Sequence, residues 1–170
     1  MKTKIILAFP CMGKTYYAKH HSDIAIDLES SDYFFDKRGY EHLSSEVFKG
    51  LPNRVRNPNG LKDYLAAIDK AVKSGKYRYV FTSQSPDVVN GILKLGYEVQ
   101  YVRPIPCQTS YDEFKRRAKE RGNIPEWIEN TIIYLNAMPW SYFNDALLER
   151  IHIDLVPPSW YLEDYLNNKG

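Results

Sequence analysis

The most constraining stretch of the sequence is Ile5-Ile6-Leu7-Ala8-Phe9-Pro10-Cys11-Met12-Gly13-Lys14-Thr15. An apolar run reads as a buried strand, breaks at Pro10 into a tight loop, and passes directly into a helical segment. From Ala8 to Thr15 it fits the phosphate-binding loop pattern, with alanine where the first glycine usually stands. A chain that opens this way commits itself to a strand–loop–helix unit. That in turn implies an α/β architecture with the loop at the carboxyl end of a parallel strand.

The spacing has a chemical reason. A loop of this length points successive backbone N–H groups of Pro10–Thr15 positions at a phosphate, proline excepted. Gly13 lets the main chain approach because it has no Cβ. Lys14 then reaches β- and γ-phosphate oxygens, and Thr15 offers a hydroxyl to Mg²⁺. The helix starting at Lys14 adds the positive end of its dipole. ATP is therefore expected on Pro10, Cys11, Met12, Gly13, Lys14 and Thr15, with the metal at Thr15. Cys11 stands where glycine is frequent, which stiffens or reshapes the loop.

At 170 residues the chain is expected to form a single domain, 1–170. Its net charge of +2 is too balanced to argue for a duplex-DNA-binding surface. No apolar run is long enough to span a membrane, and the opening segment is interrupted too soon for a signal peptide. The only cysteines, Cys11 and Cys107, lack metal-ligand spacing. A reducing, cytoplasmic setting is the expectation.

Strand and helix signals then alternate. Strands are expected at 4–9, 24–26, 79–81, 98–102 and 151–155. Helices are expected at 14–20, from Leu61 to Gly75, from Ser85 to Gly96, from Ser110 to Gly122, from Pro125 to Pro139, and at 140–149. A last short helix follows Ser159 as its cap. Such alternation predicts a three-layer α/β/α fold with a mainly parallel sheet and right-handed crossovers.

Several residues beyond the loop are candidates for the site. Asp27 ends the second strand, where ligands of open α/β sheets gather; its bland alternative is a helix cap. Glu29 and Ser30 follow it. Residues 33–60 mix aromatics with Lys37, Arg38, Lys49, Arg54 and Arg56. This excursion is expected to bind the acceptor, with Arg54 and Arg56 as ligands for its phosphate. Ser110-Tyr111-Asp112-Glu113 has the form of a capping box. It opens a basic helix in which Arg117 and Arg121 share one face, so 110–125 reads as a lid whose two guanidinium groups clamp a triphosphate. The third strand ends in Thr82, Ser83 and Gln84, without the carboxylate that many phosphate-loop NTPases place there to hold the metal's water shell. Asp27 is the available substitute.

A family likeness is carried by Ile6–Thr15, Asp27-Leu28-Glu29-Ser30-Ser31 and Phe114–Asn123, and Trp127-Ile128 and Tyr161-Leu162 fit it as well. With these pieces the chain resembles the small phosphate-loop kinases found in phage and prophage genomes, distant relatives of nucleoside monophosphate kinases and polynucleotide kinases. The resemblance implies an ATP donor, Mg²⁺, an arginine lid matched by Arg117 and Arg121, and an acidic residue, matched by Asp27, that contacts or deprotonates the acceptor. Glu29 stands where those proteins tend to carry a second Asp.

The leading expectation is a nucleotide kinase acting on a ribo- or deoxynucleoside monophosphate, with Lys14, Asp27, Arg117 and Arg121 as its catalytic set. A kinase of nucleic-acid 5′-hydroxyl ends and a non-catalytic ATP-binding module are the alternatives. Expected partners are ATP and a small nucleotide acceptor, with no membrane.

Overall fold

The computed structural model describes residues 2–137 and 143–169. Its strands are β1 (Lys4–Ala8), β2 (Ala25–Asp27), β3 (Tyr79–Thr82), β4 (Val99–Pro104) and β5 (Ile151–Val156). They form one sheet in the order β2-β3-β1-β4-β5, with every pair parallel. Parallel neighbours cannot be joined by tight hairpins, so helices make the crossovers. These are α1 (Lys14–His20), α2 (Ser31–Phe34), α3 (Ser45–Lys49), α4 (Gly60–Lys73), α5 (Pro86–Lys94), α6 (Gln108–Glu120), α7 (Pro125–Asn136), α8 (Asp145–Leu148) and α9 (Leu162–Asn168).

β1 is central because its side chains are apolar on both faces: Ile5, Ile6, Leu7, Ala8 and Phe9 are all buried. Each large one contributes about 1.5–3 kcal/mol by leaving water. Right-handed crossovers send α1 over one face and α4 and α5 over the other. α9 returns to pack beside α1, and α4 lies against α5. This is the three-layer arrangement read from the alternation. On the inner side of α4, Tyr64 and Ile68 are fully buried; on that of α5, Val88, Val89 and Ile92 are. Phe9 meets Phe114 of α6 edge-on, with ring centroids 5.4 Å apart.

The strand order splits the chain's loops. Those after β2 and β3 lie on one side of the loop after β1, and those after β4 and β5 on the other. The reversal of direction at β1 creates a crevice at the carboxyl ends of the strands.

Residues 33–60 do leave the sheet, as α2, α3 and the turns around them. An isolated antiparallel bridge between Phe35 and Arg56 closes this excursion. Gly60 anchors its base: a Cβ there would fall 2.8 Å from Phe34 Cα and 3.0 Å from the Tyr33 carbonyl oxygen. Only hydrogen fits.

Two helix starts differ from expectation. α6 begins at Gln108, with Cys107 as its cap residue. Ser110 does not cap it; its hydroxyl donates to the Ile105 carbonyl at 2.5 Å, tying the first turn back to the strand exit. α9 is capped at Tyr161 rather than Ser159, and the Tyr161 N–H donates to Asp164 at 2.8 Å. Of the helix expected at 140–149, the described part is α8; Pro139 and Trp140–Tyr142 lie outside the described residues.

Candidate active site

The crevice holds a cavity of about 660 Å³ whose walls include Pro10–Tyr16, Asp27–Ser30, Lys49, Thr82–Gln84, Arg117, Arg121 and Tyr161. Its floor is the loop between β1 and α1. Gly13 has φ +87° and Cys11 φ +63°. Both lie in the left-handed region, where a non-glycine residue costs roughly 1–2 kcal/mol. Glycine at Gly13 removes that cost. Cys11 keeps it, which is the physical content of a cysteine standing where glycine is frequent. The Gly13 carbonyl accepts the first helical hydrogen bond, from the Tyr17 N–H at 2.9 Å, so loop and α1 form one unit.

Lys14 curls back over the loop, its Nζ donating to the Ala8 carbonyl at 2.9 Å. Burial pushes its ammonium below the usual lysine range, and the nearby carboxylates of Asp27 and Glu29 oppose that push. A partly desolvated cation is a strong partner for phosphate oxygens. Thr15 Oγ1 donates to Asp27 Oδ2 at 2.6 Å. Burial raises the Asp27 carboxyl above the usual carboxylate range; Lys14 and the Thr15 hydroxyl pull it back down.

Mg²⁺ prefers a few hard oxygen ligands and keeps several waters. The Thr15–Asp27 pair supplies such oxygens at the mouth of the loop. Among the described residues no cluster of three or more His, Cys, Asp or Glu side chains competes as a protein cage. The donor set therefore fits a Mg²⁺ ion carried largely by phosphate and water.

Next to Asp27, Glu29 pairs with Lys49 of α3, Oε2 to Nζ 3.2 Å. Ser30 lines the same wall as cap residue of α2. The far wall is Thr82-Ser83-Gln84. Tyr64, fully buried, joins the two walls: its hydroxyl donates to the Leu28 carbonyl at 2.7 Å and accepts from the Ser83 N–H at 2.9 Å.

Arg54 and Arg56 do not join the cavity wall. Their guanidinium groups stack on Phe35, at 3.9 and 4.8 Å from the ring centroid. The phosphate-ligand role expected for them is corrected accordingly: cation–π stacking holds both cations within the excursion. The cation that reaches the cavity from 33–60 is Lys49.

The lid arginines also divide. Arg121 is exposed and donates to Cys11 Sγ at 3.4 Å, so it lies across the phosphate loop. Arg117 is buried. Its Nε donates to Glu113 at 2.7 Å, and its terminal nitrogens donate to the carbonyls of Ser159 and Trp160 at 2.8 and 3.1 Å. Its plane stacks on Tyr161, 3.8 Å from the ring centroid. A guanidinium held on so many sides is not a mobile clamp; it fixes the loop after β5 to α6. Tyr161 in turn covers Gly13, and the Leu162 N–H donates to the Met12 carbonyl at 2.8 Å.

Of the cavity-lining residues, Ser83 and Gln84 are not among the sequence-predicted site residues, Lys49 is named from the sequence only as one cation of the excursion and Tyr161 only by resemblance. The strand end at Thr82–Gln84 was visible, but polar uncharged residues there carry no distinctive spacing. Tyr161 lies far along the chain from the loop it covers.

The architecture is a five-stranded, all-parallel α/β sheet ordered 2-3-1-4-5, with the Gly13-Lys14-Thr15 loop after its central strand. Two solved structures share it over nearly the whole chain. A gluconokinase from Sinorhizobium meliloti aligns over 98% of this chain and 88% of its own, with a TM-score of 0.50 and 14% identity. The tunicamycin resistance protein of Deinococcus radiodurans aligns over 98% of this chain and 92% of its own, with a TM-score of 0.57 and 14% identity. No protein-family model matches the sequence, and no curated protein is significantly similar to it. At such identity the likeness speaks for the fold alone. It carries the fold side of the kinase resemblance, and the phage affiliation gains nothing from it.

Proposed function

We propose that this protein is an ATP-dependent phosphotransferase that moves the γ-phosphoryl group to an acceptor held beside Asp27. The observation that carries the reading is the convergence of Lys14, Thr15 and Asp27 at the mouth of the phosphate loop, with Thr15 and Asp27 bonded at 2.6 Å.

In this reading the loop N–H groups and the α1 N-terminus cradle the triphosphate. Lys14 leaves the Ala8 carbonyl and meets the transferring phosphoryl oxygens. Mg²⁺, when bound beside Thr15, neutralises charge on the phosphates. Arg121, lying on Cys11, is the mobile cation of the lid and follows the charge as it moves. Arg117 and Tyr161 give the donor side a rigid flat wall. Asp27 orients the acceptor and accepts its proton; burial raises its proton affinity, which suits a base. Phosphoryl transfer asks mainly for such positioning and charge stabilisation.

Among acceptors, a nucleoside monophosphate is expected beside Asp27 and the 33–60 excursion; Arg54 and Arg56, the ligands suggested for its phosphate, are stacked on Phe35. Nucleic-acid ends sit less well with a net charge of +2, since strand binding favours a basic groove. Among the described residues no helix is long and apolar enough to cross a membrane.

Calorimetry with Mg-ATP and transfer from γ-labelled ATP test the reading. Wild type should bind ATP and turn it over, and Lys14→Ala should lower turnover by roughly 10²–10³-fold. Full activity in that variant would overturn the proposal. Binding without any turnover would favour a non-catalytic nucleotide-binding module.

A further inference from the structure

We infer that β5 pairs edge to edge with β5 of a second copy of this chain, giving a two-fold dimer with one sheet running through both copies. Ile151, Ile153 and Leu155 line no part of the crevice, so this contact is independent of the phosphotransferase reading.

β5 ends the sheet. Among the described residues it pairs with β4 alone. The other edge, β2, is three residues long, and so short an edge offers little to a partner. β5 lacks the usual guards of an edge. It carries neither lysine nor proline, and its register with β4 runs unbroken from Ile151 to Val156. Ile153 and Leu155 on its one face are 41% and 55% exposed, so nothing covers them.

The ladder fixes which main-chain groups are turned outward. The Arg150 carbonyl accepts from the Val99 N–H, and the Val156 carbonyl from the Ile105 N–H, both at 3.0 Å. Along a strand these directions alternate with a period of two. The even-numbered residues therefore face β4, and the N–H and C=O groups of Ile151, Ile153 and Leu155 point away from it.

A two-fold axis normal to the sheet makes the two edge strands antiparallel. Pairing centred on Ile153 then uses every outward group. Ile153 lies opposite Ile153 of the other copy and Ile151 opposite Leu155, each pair exchanging both hydrogen bonds. One face gains a row of apolar cross-strand pairs. The other sets His152 opposite Asp154 on both sides of the axis. Asp154 is held by Tyr165 at 2.8 Å and Lys169 at 2.7 Å, and a carboxylate keeps a lone pair for an imidazole N–H. The adjacent symmetric registers are worse. One leaves Leu155 without a mate and sets His152 against His152. The other leaves Ile151 without a mate and sets Asp154 against Asp154, a repulsive pair. The strand is thus self-complementary in one register, as a two-fold interface requires. Pro157 and Pro158 end it just beyond the paired stretch.

Sedimentation equilibrium of the full chain, from micromolar to millimolar concentration, should give a dimer that dissociates on dilution. Ile153→Lys sets two ammonium groups against each other at the axis. It should raise the dissociation constant at least roughly tenfold with an unchanged far-ultraviolet spectrum. Ile153→Cys should crosslink the dimer on mild oxidation, because directly opposed residues of this kind have Cα atoms about 5.5 Å apart. Leu155→Cys, opposite Ile151, should not, and oxidised wild type controls for Cys11 and Cys107. The crosslink decides by itself should Ile153→Lys misfold. A monomer at every concentration would overturn the inference. So would a dimer that survives Ile153→Lys, or one that links through Leu155→Cys as readily as through Ile153→Cys, since either would place the contact on another face.

Discussion

Thr15 Oγ1 and Asp27 Oδ2 are 2.6 Å apart, and this bond links the phosphate loop to the end of β2. It places a hydroxyl suited to a metal and a carboxylate suited to an acceptor in one unit. β3, which lies between β1 and β2 in the sheet, ends without a carboxylate of its own.

Asp27→Asn separates catalysis from stability. Burial is the largest influence on the carboxyl and raises its pKa, so protonation removes the base at a pH above the ordinary carboxylate range. The rate of wild type should fall on the acid side with a slope of one below that elevated pKa. Asn should lower kcat by about 10²–10⁴-fold and abolish the acid limb. The sign for stability is opposite. A carboxyl whose folded pKa is raised favours the fold below its unfolded pKa, and that contribution is lost as pH rises through the folded pKa. At neutral pH the variant should therefore melt no lower than wild type. The difference should vanish in acid, where Asp27 is protonated in both states. Thermal melts across pH, beside a pH–rate profile, check both halves.

Arg117 is expected to matter for stability more than its sequence position suggests. It is buried, and removing it takes the donor from two loop carbonyls and leaves Glu113 to Arg116 alone. Arg117→Ala should cost about 1–3 kcal/mol, the range for carbonyls left without a donor. Arg117→Lys should recover only part, because an ammonium cannot span the three acceptors. The partner titrates in the reverse sense to Asp27. Hydrogen bonds from Arg116 and then Arg117, against the cost of burial, hold Glu113 down to about 2. Its contribution is present above the usual Glu range and is lost as pH falls from there toward about 2. Urea midpoints of wild type and Glu113→Gln across that window should converge at its acid end.

How much of this was legible in the sequence depended on distance along the chain. The strand–loop–helix at residues 4–20 was readable because its signals are local: an apolar run, a fixed spacing, a helix start. The alternation of periods was enough for the parallel sheet. Asp27 followed from topology, since a strand end in such a sheet points at the crevice. Arg54 and Arg56 misled because charge and spacing do not reveal that Phe35 lies beneath them. The Glu29–Lys49 pair and the cover of Tyr161 over Gly13 depend on how the excursion and the β5 loop fold back. The capping box at Ser110 misled for a local reason: its hydroxyl bonds the preceding strand exit at Ile105 instead of the helix.

Cys11 holds a left-handed backbone that a side chain resists. Cys11→Gly should relieve this and stabilise the fold by up to about 1 kcal/mol, offset by the greater freedom of glycine in the unfolded chain. Cys11→Ala keeps the strain and loses the sulfur contact of Arg121, so it should stabilise nothing. Urea denaturation of the two variants beside wild type distinguishes them; equal midpoints would remove the strain argument.

Tyr64 offers the cleanest test of positioning, because its hydroxyl joins the two walls on the acceptor side without lining the cavity. Tyr64→Phe keeps the ring, with its packing against Tyr33 and Phe34, and deletes only the bridge. The Leu28 carbonyl keeps one partner fewer, and the Ser83 N–H loses its acceptor. The expected cost is about 1–3 kcal/mol. The loops after Asp27 and Thr82 should then move independently. KM for the acceptor should rise several-fold, whereas KM for ATP, set by the loop after β1, should stay close to wild type. Steady-state kinetics over both substrates measure this directly. Equal losses for ATP and acceptor would mean that the bridge supports the whole crevice rather than its acceptor half.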